Sequence, residues 1–274
     1  MARTVLITGC SGGIGYSTAK SLHKKGWRVF ASCRKIEDCK RLRDEGFESF
    51  RLDYGNENTI ISAVQRIREL NHGKLDALFN NGAYALPGAV EDLSRDALRA
   101  IFEVNFFGQI DLINRLLPLL RASNDPRVIN CSSVLGFMAL PYRGAYNATK
   151  FAMEGITDTF RREETGLEVK FILIEPGPIK TNIRKNAIDY FERWIDWKHS
   201  RIRKIYEEKI IVRLLNEKKG SNFFELNSHH VSTKVIHALT SRRPRKRYYV
   251  TYPTYAADIL SRLFPATFQD FLLR

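Results

Sequence analysis

A β-branched, apolar run, Val5-Leu6-Ile7-Thr8, stops at a glycine-rich segment, Gly9-Cys10-Ser11-Gly12-Gly13-Ile14-Gly15, and a helical pattern starts inside that segment. A strand that is apolar on both faces and feeds directly into a helix is the opening of a parallel βα unit, because a parallel neighbour needs a crossover to reach it. The rest of the first two-thirds repeats the unit. Strands are predicted over Arg28–Cys33, Leu75–Asn80, Val128–Ser132 and Val169–Glu175, and helices over Ile14–Lys25, Glu57–Leu70, Asp96–Leu120 and Ala145–Thr165. The expected fold is α/β, a doubly wound parallel sheet with helices on both faces. Ligands in such sheets bind beyond the carboxyl ends of the strands, so the informative residues are those in the loops that follow each strand.

The chain has 274 residues, of which 44% are hydrophobic, enough to build one large core. A single domain over 1–274 is expected. After Thr181 the pattern changes, and residues 184–228 mix charges with Trp194, Trp197, Phe223 and Phe224, which points to a helical substrate cap over 178–228. A helix over His230–Thr240 and a strand over Tyr248–Thr251 follow. The tail Tyr255–Leu273 carries Ile259, Leu260, Leu263, Phe264, Phe268 and Phe271 at helical spacing. Cys10, Cys33, Cys39 and Cys131 form no CxxC pair and no zinc spacing, so free thiols and no metal are expected. The first residues are too short an apolar run for a signal peptide, and no stretch approaches the roughly 18 apolar residues of a membrane span. A soluble, cytoplasmic protein is expected. The net charge of +14 favours anionic partners without choosing among them.

The glycine segment sits where a pyrophosphate would meet the N–H groups and positive end of a helix. Gly9 permits the turn, Gly13 lets the backbone approach the phosphates, and Gly15 allows close helix–strand packing. Gly9, Ser11, Gly13, Ile14 and Gly15 are therefore candidate cofactor contacts. At the end of the second strand an acidic residue would bind the ribose 2′-hydroxyl, but Cys33 stands there and Arg34 follows. A guanidinium matches a phosphate, so the reading is NADP(H) over NAD(H); the plainer reading of Arg34 is a solvated helix-start residue.

Tyr146 and Lys150 lie four residues apart on one helix face, where an ammonium can stabilise a phenolate for proton exchange. Tyr16 and Lys20 have the same spacing. Only Tyr146 has a hydroxyl residue, Ser133, at the carboxyl end of the preceding strand, which makes Tyr146 the catalytic candidate and leaves Tyr16 to pack the first helix.

On these residues the chain resembles the short-chain dehydrogenase/reductase family over positions 4 to about 181, including the hydroxysteroid, retinal and aldehyde reducing branches. Thr8-Gly9-x3-Gly13-x-Gly15 matches its Rossmann-like glycine motif. The resemblance implies that Asp53 contacts adenine, that Asn80-Asn81-Gly82-Ala83 is the segment after the fourth strand (with its last two residues exchanged), and that Pro176, Gly177 and Thr181 hold the nicotinamide carboxamide. It implies a tetrad of Asn105, Ser133, Tyr146 and Lys150. Ser133 would bind the substrate oxygen, Tyr146 exchange the proton, Lys150 tune Tyr146 and bind ribose, and Asn105 anchor a water. Ser132 is read as supporting the strand end.

Leu135, Phe137, Met138, Leu140, Tyr142 and Ile183 are candidate walls, or simply cap packing; as walls they suit a lipophilic aldehyde, ketone or hydroxysteroid-like alcohol. The run Arg242-Arg243-Pro244-Arg245-Lys246-Arg247 reads as a solvated loop or as a peripheral contact with anionic membrane. No nucleic-acid module accompanies it, so no nucleic acid is expected. Family habit implies a homodimer or homotetramer. The competing functional reading is a catalytically silent dinucleotide sensor, or a membrane-associated regulator, on the same fold.

Overall fold

The computed structural model describes residues 2–163, 169–215 and 224–273. The glycine segment opens the central unit of the sheet. Strand β1 (Thr4–Ile7) pairs in parallel with β2 (Arg28–Cys33) on one side and β4 (Ala77–Asn80) on the other. Adding β3 (Glu48–Arg51), β5 (Arg127–Cys131), β6 (Lys170–Glu175) and β9 (Arg247–Tyr249) gives the order β3-β2-β1-β4-β5-β6-β9. The winding reverses between β1 and β4, so a crevice opens at their carboxyl ends.

Alternation along β1 divides the core. Val5 and Ile7 face a cluster with Ala19 and Leu22 of α1 (Gly13–His23) and with Val231 and Val235 of the helix Ser228–Thr240. Leu6 faces the other cluster, with Ile60 and Val64 of α3 (Glu57–Leu70) and Leu112 and Leu116 of α5 (Gly108–Arg121). Helix α6 (Gly144–Arg162) lies against β6, where Phe160 stacks on Phe171 at 4.6 Å.

The helix expected over Asp96–Leu120 is not continuous. It divides into α4 (Arg95–Phe102), a π turn over Glu103–Phe107, and α5. Two local constraints account for the break. Gly108 packs so closely on Tyr54 that a Cβ there would lie 2.3 Å from the Tyr54 carbonyl oxygen. Asn105 turns inward to bind both main-chain groups of Tyr84. One wide turn lets both contacts coexist with the buried face of α5. The short, charged α2 (Ile36–Asp44) and the edge strand β3 were not anticipated, because α2 sends only Cys39 and Leu42 into the core.

Helix α6 stops at Arg162, and Thr165, the expected end, lies outside the described residues. The last strand starts one residue before and ends two residues before the expected Tyr248–Thr251, since Thr251 becomes the N-cap of the helix Tyr252–Leu263. In the cap, β7 (Ile179–Lys180) pairs with β8 (Leu226–Asn227) and brackets α7 (Ile183–Trp194) and a helical run over 203–215. Phe223 lies outside the described residues. All four cysteines are free and buried. No helix among the described residues is long and apolar enough to cross a membrane.

Candidate active site

The glycine segment forms a cradle. Gly9 and Gly13 have φ of +70° and +57°, the region glycine adopts without strain. A Cβ on Gly15 would lie 2.5 Å from the Gly9 carbonyl oxygen, so α1 touches the loop with no room for a side chain. Helix α1 starts at an N-cap glycine, has no side-chain cap and no acid in its first turn, and its first N–H groups point into the crevice unclaimed by a cap. From β4, Asn81 donates its side-chain amide to the Thr8 carbonyl at 2.9 Å, and the Asn81 and Gly82 N–H groups donate to the Thr8 hydroxyl at 2.9 and 3.0 Å. A Cβ on Gly13 would lie 3.2 Å from Thr181 Cγ2, which places Thr181 over the loop as its roof. These features fit a pyrophosphate: a bare helix N-terminus, backbone with no side chain in the way, and rigid support on both sides.

Other expected contacts divide. Asp53 Oδ1 accepts from the Gly55 N–H at 3.1 Å, and its main chain is held by Thr59. The Asn80 side chain is fully buried, donates to Asn130 Oδ1 at 3.1 Å and accepts from the Tyr54 hydroxyl at 2.6 Å. It ties β4 to β5 rather than facing the crevice. Thr8 and Asn81 support the loop more directly than the spacing indicated. Both residues stand in motifs the sequence shows, the Thr-Gly and Asn-Asn pairs, but their bracing of the loop has no spacing signal.

At the end of β2, Cys33 is buried, and burial is the main reason its thiol is pushed up to about 12. It brings no negative charge to this corner. Arg34 is exposed and donates to the Tyr190 hydroxyl of α7. Tyr190 in turn stacks on Tyr84 at 3.7 Å, with 14° between the rings. The cap therefore reaches across the crevice to the nucleotide corner, a contact that no sequence spacing signalled.

Ser133, just after β5, caps a short turn by accepting from the Leu135 N–H at 3.1 Å, and its hydroxyl lies close enough to Tyr146 to oppose the rise in that phenol's pKa. Tyr146 and Lys150 are buried one turn apart on α6. The Lys150 ammonium lies 5.5 Å from the Tyr146 ring and donates to the Cys131 carbonyl at 2.7 Å. Burial raises the Tyr146 pKa, the Cys131 thiol adds to the rise, and the Ser133 hydrogen bond opposes it. Burial lowers the Lys150 pKa, opposed by Cys131 and Glu154. Burial therefore sets the direction of the Tyr146 shift, and the phenol is favoured over the phenolate before reaction. Asn105 is fully buried. It accepts from the Tyr84 N–H at 3.0 Å and donates to the Tyr84 carbonyl at 2.8 Å and to the Thr149 hydroxyl at 3.3 Å, so its side chain clamps the loop after β4 to α6. Pro176 approaches Ser133, whose hydroxyl is 3.5 Å from its carbonyl oxygen, while Gly177 packs against Thr251 and Thr254.

Tyr16 lies elsewhere. Its hydroxyl donates to Glu45 at 2.7 Å, and Lys20 and Arg41 each sit 5.4 Å from its ring. Leu135 and Tyr142 join Tyr84, Tyr190 and Trp194 around Tyr146 in one apolar cluster. Phe137 packs on Tyr249 at 5.8 Å, Met138 is buried, Leu140 is 37% exposed, and Ile183 opens α7.

Residues 3–190 match the short chain dehydrogenase family. Over 275 aligned residues the chain is 34% identical to the uncharacterized oxidoreductase YbbO of Escherichia coli (strain K12), covering all of this chain and 95% of that protein. It is 33% identical to the mitochondrial D-beta-hydroxybutyrate dehydrogenase of Mus musculus (98% of this chain, 82% of that one). It is 32% identical to retinol dehydrogenase 7 of Rattus norvegicus (89% and 79%). Among solved structures, a short chain dehydrogenase/reductase from Burkholderia phymatum in complex with NAD superposes with a TM-score of 0.76 at 23% identity (94% of this chain, 92% of that one). A short chain dehydrogenase from Burkholderia cenocepacia J2315 in complex with NADP gives 0.75 at 23% identity (100% and 98%).

Proposed function

The chain belongs to the short-chain dehydrogenase/reductase family, and we propose that within it the protein is an NADP(H)-dependent carbonyl reductase, equally an alcohol dehydrogenase in reverse, for a lipophilic aldehyde, ketone or hydroxysteroid-like substrate. The observation that carries this reading is the convergence of Ser133, Tyr146 and Lys150 beside the bare N-terminus of α1. The bound cofactor supplies or accepts a hydride. The chain's own groups handle the charge that develops on the substrate oxygen. Ser133 donates a hydrogen bond to that oxygen. Tyr146, held in its acid form by burial, transfers the phenolic proton. The nearby Lys150 ammonium then stabilises the phenolate left behind. Since the Asn105 side chain is committed to Tyr84 and Thr149, its role in resupplying the proton falls to its main chain and to the loop it fixes. For the cofactor, a buried neutral thiol followed by an exposed guanidinium supports the 2′-phosphate form.

The apolar cluster around Tyr146 supports a lipophilic substrate. Phe107 and Phe151, 53% and 45% exposed near the start of α5 and on α6, support a homodimer or homotetramer. The exposed apolar tail and the exposed cationic segment before β9 support a peripheral lipid contact.

Replacing Tyr146 by Phe removes the proton donor and little volume. Turnover followed at the nicotinamide absorbance band, with a panel of hydrophobic aldehydes and ketones, is expected to drop by about two to four orders of magnitude while NADPH still quenches protein fluorescence. Near-normal rates in the variant, or no turnover of any carbonyl by the unmodified protein, would favour the catalytically silent sensor instead.

A further inference from the structure

Three buried side chains of α6 recur at intervals of four residues: Tyr146, Lys150 and Glu154, with 9%, 2% and 8% of their surface exposed. They share one helix face. Helical side chains lean toward the N-terminus, so Glu154 leans back toward Lys150 as Lys150 does toward Tyr146. The mechanism above uses the first two and leaves Glu154 idle. A buried ammonium is costly without a counter-charge. Lys150 has three donors, and one is spent on the Cys131 carbonyl, an uncharged acceptor.

Glu154 is fixed from two sides. Its Oε2 and Glu175 Oε1 accept from the same Arg247 nitrogen, Nη1, which sets the two carboxyl groups side by side. Its Oε1 lies against the turn that Ser133 caps. A Cβ on Gly136 would lie 3.0 Å from Glu154 Oε1 and 2.5 Å from Ser132 Oγ, so the missing side chain at position 136 is what gives the carboxyl group its place. Glu154 Oε1 and Glu175 Oε2 are buried without a donor among the described residues, and one proton between them serves both. Burial and the Glu154 charge favour that proton on Glu175. The negative charge then stays on Glu154, the member of the pair that shares a helix with Lys150.

The other titratable groups nearby do not substitute for it. Cys131 on β5 has its thiol raised by burial and stays neutral. Asp158, one turn further along α6, meets Arg161, Arg162 and Arg247. Tyr249 on β9 is the strand partner of Glu175, and its phenol is raised to about 12, mainly by burial. The π turn packed on α6 brings the uncharged Asn105, and α4 leaves Arg95, Asp96 and Arg99 exposed. Burial pulls the Lys150 pKa down, against Cys131 and Glu154. With Cys131 neutral, Glu154 is the charge that remains.

We propose that Glu154 is the counter-charge of Lys150: its carboxylate holds the buried amine as an ammonium and so keeps it able to stabilise the Tyr146 phenolate. Glu154 is a positioning residue, acting through Lys150 from one turn behind the reacting groups. This rests on the reductase reading above and deepens it.

Glu154→Gln keeps the shape and removes the charge. In the cofactor-free protein with isotope-labelled lysine, the Lys150 side-chain resonance, assigned by its loss in Lys150→Met, is expected to titrate about one to three pH units lower in Glu154→Gln than in the unmodified protein. The alkaline limb of kcat/KM for carbonyl reduction should move to lower pH with it. Glu175→Gln, buried at the same arginine but exchanging one neutral group for another, should move neither. An unmoved Lys150 titration in Glu154→Gln, or the same movement in Glu175→Gln, would overturn the pairing. If Glu154→Gln folds poorly, melting temperatures decide, because Lys150→Met then removes a stranded ammonium. That substitution is expected to restore stability in the Glu154→Gln background and to lower it in the unmodified protein. Additive losses from the two substitutions would sink the pairing. Loss of the reductase reading looks different: no carbonyl is turned over, while the Lys150 titration still follows Glu154.

Discussion

Two tyrosine–lysine pairs at identical spacing end in opposite environments. Tyr16 is tied to Glu45 on an exposed face between Lys20 and Arg41, whereas Tyr146 is buried against Ser133. What separates them is the hydroxyl at the end of a neighbouring strand, which the residue order does contain. The nucleotide corner rests on equally small differences. A thiol at Cys33 that stays neutral, beside Arg34, leaves room for a phosphate but offers no carboxylate to a ribose hydroxyl. Exchanging Cys33→Asp together with Arg34→Ala is expected to shift the ratio of kcat/KM for NADPH over NADH toward NADH by about 100-fold or more. An unchanged ratio would assign the discrimination elsewhere. Arg34→Ala also frees Tyr190, so the single variants should be measured beside the double.

At the scale of elements, two segments that flank the candidate site, α6 and β6, are tied together by the edge strand β9. Arg247 reaches Glu154 and Asp158 on α6 and Glu175 at the end of β6. It was read as one cation of a surface run; it turns inward instead, because three buried or half-buried carboxylates need a counter-charge. Asp158 also meets Arg161 and Arg162, but Glu154 and Glu175 share Arg247 alone among the described ion pairs. Burial, with the Glu154 charge adding to it and Arg247 opposing, raises Glu175 to about 9. Folding therefore tightens a proton that the unfolded chain releases near 4.5. The resulting stabilisation is complete below that value and is lost as pH climbs toward about 9. Melting curves at constant ionic strength are expected to fall across this window in the unmodified protein and to flatten in Glu175→Gln, which keeps the neutral shape. Parallel pH dependences would mean that Glu175 is ionised in the fold. The π turn between α4 and α5 is a second element-scale device, since it gives Asn105 its inward aim.

Across the whole molecule, charge and apolar surface are unevenly placed. The helix Tyr252–Leu263 exposes Tyr252, Tyr255, Ile259 and Leu263 along one face, and Phe268 and Phe271 continue the apolar surface on the helix Ala266–Leu273. Arg242, Arg243, Arg245 and Lys246 are exposed just before β9. An exposed apolar helix face together with exposed cations suits an anionic bilayer surface, with each cation worth about 1 kcal/mol near it. Sedimentation with acidic vesicles is expected to carry the protein down at low salt, to fail in high salt, and to weaken when these four residues become Gln. Equal recovery in the supernatant for both proteins would remove the lipid contact and leave the apolar face to a second copy of the chain.

The residue order by itself determined the strand–turn–helix units, the glycine cradle, and the Ser133–Tyr146–Lys150 set. Each is a local pattern: apolar runs of strand length, glycines where a side chain would collide, and a phenol and ammonium one helical turn apart. The broken helix at Glu103–Phe107, the inward turn of Arg247, the burial of Asn80 and the Arg34–Tyr190 contact were decided only in three dimensions. All of them depend on which distant side chains share one buried space, and burial is what turns an ordinary charge or amide into one that must find a partner.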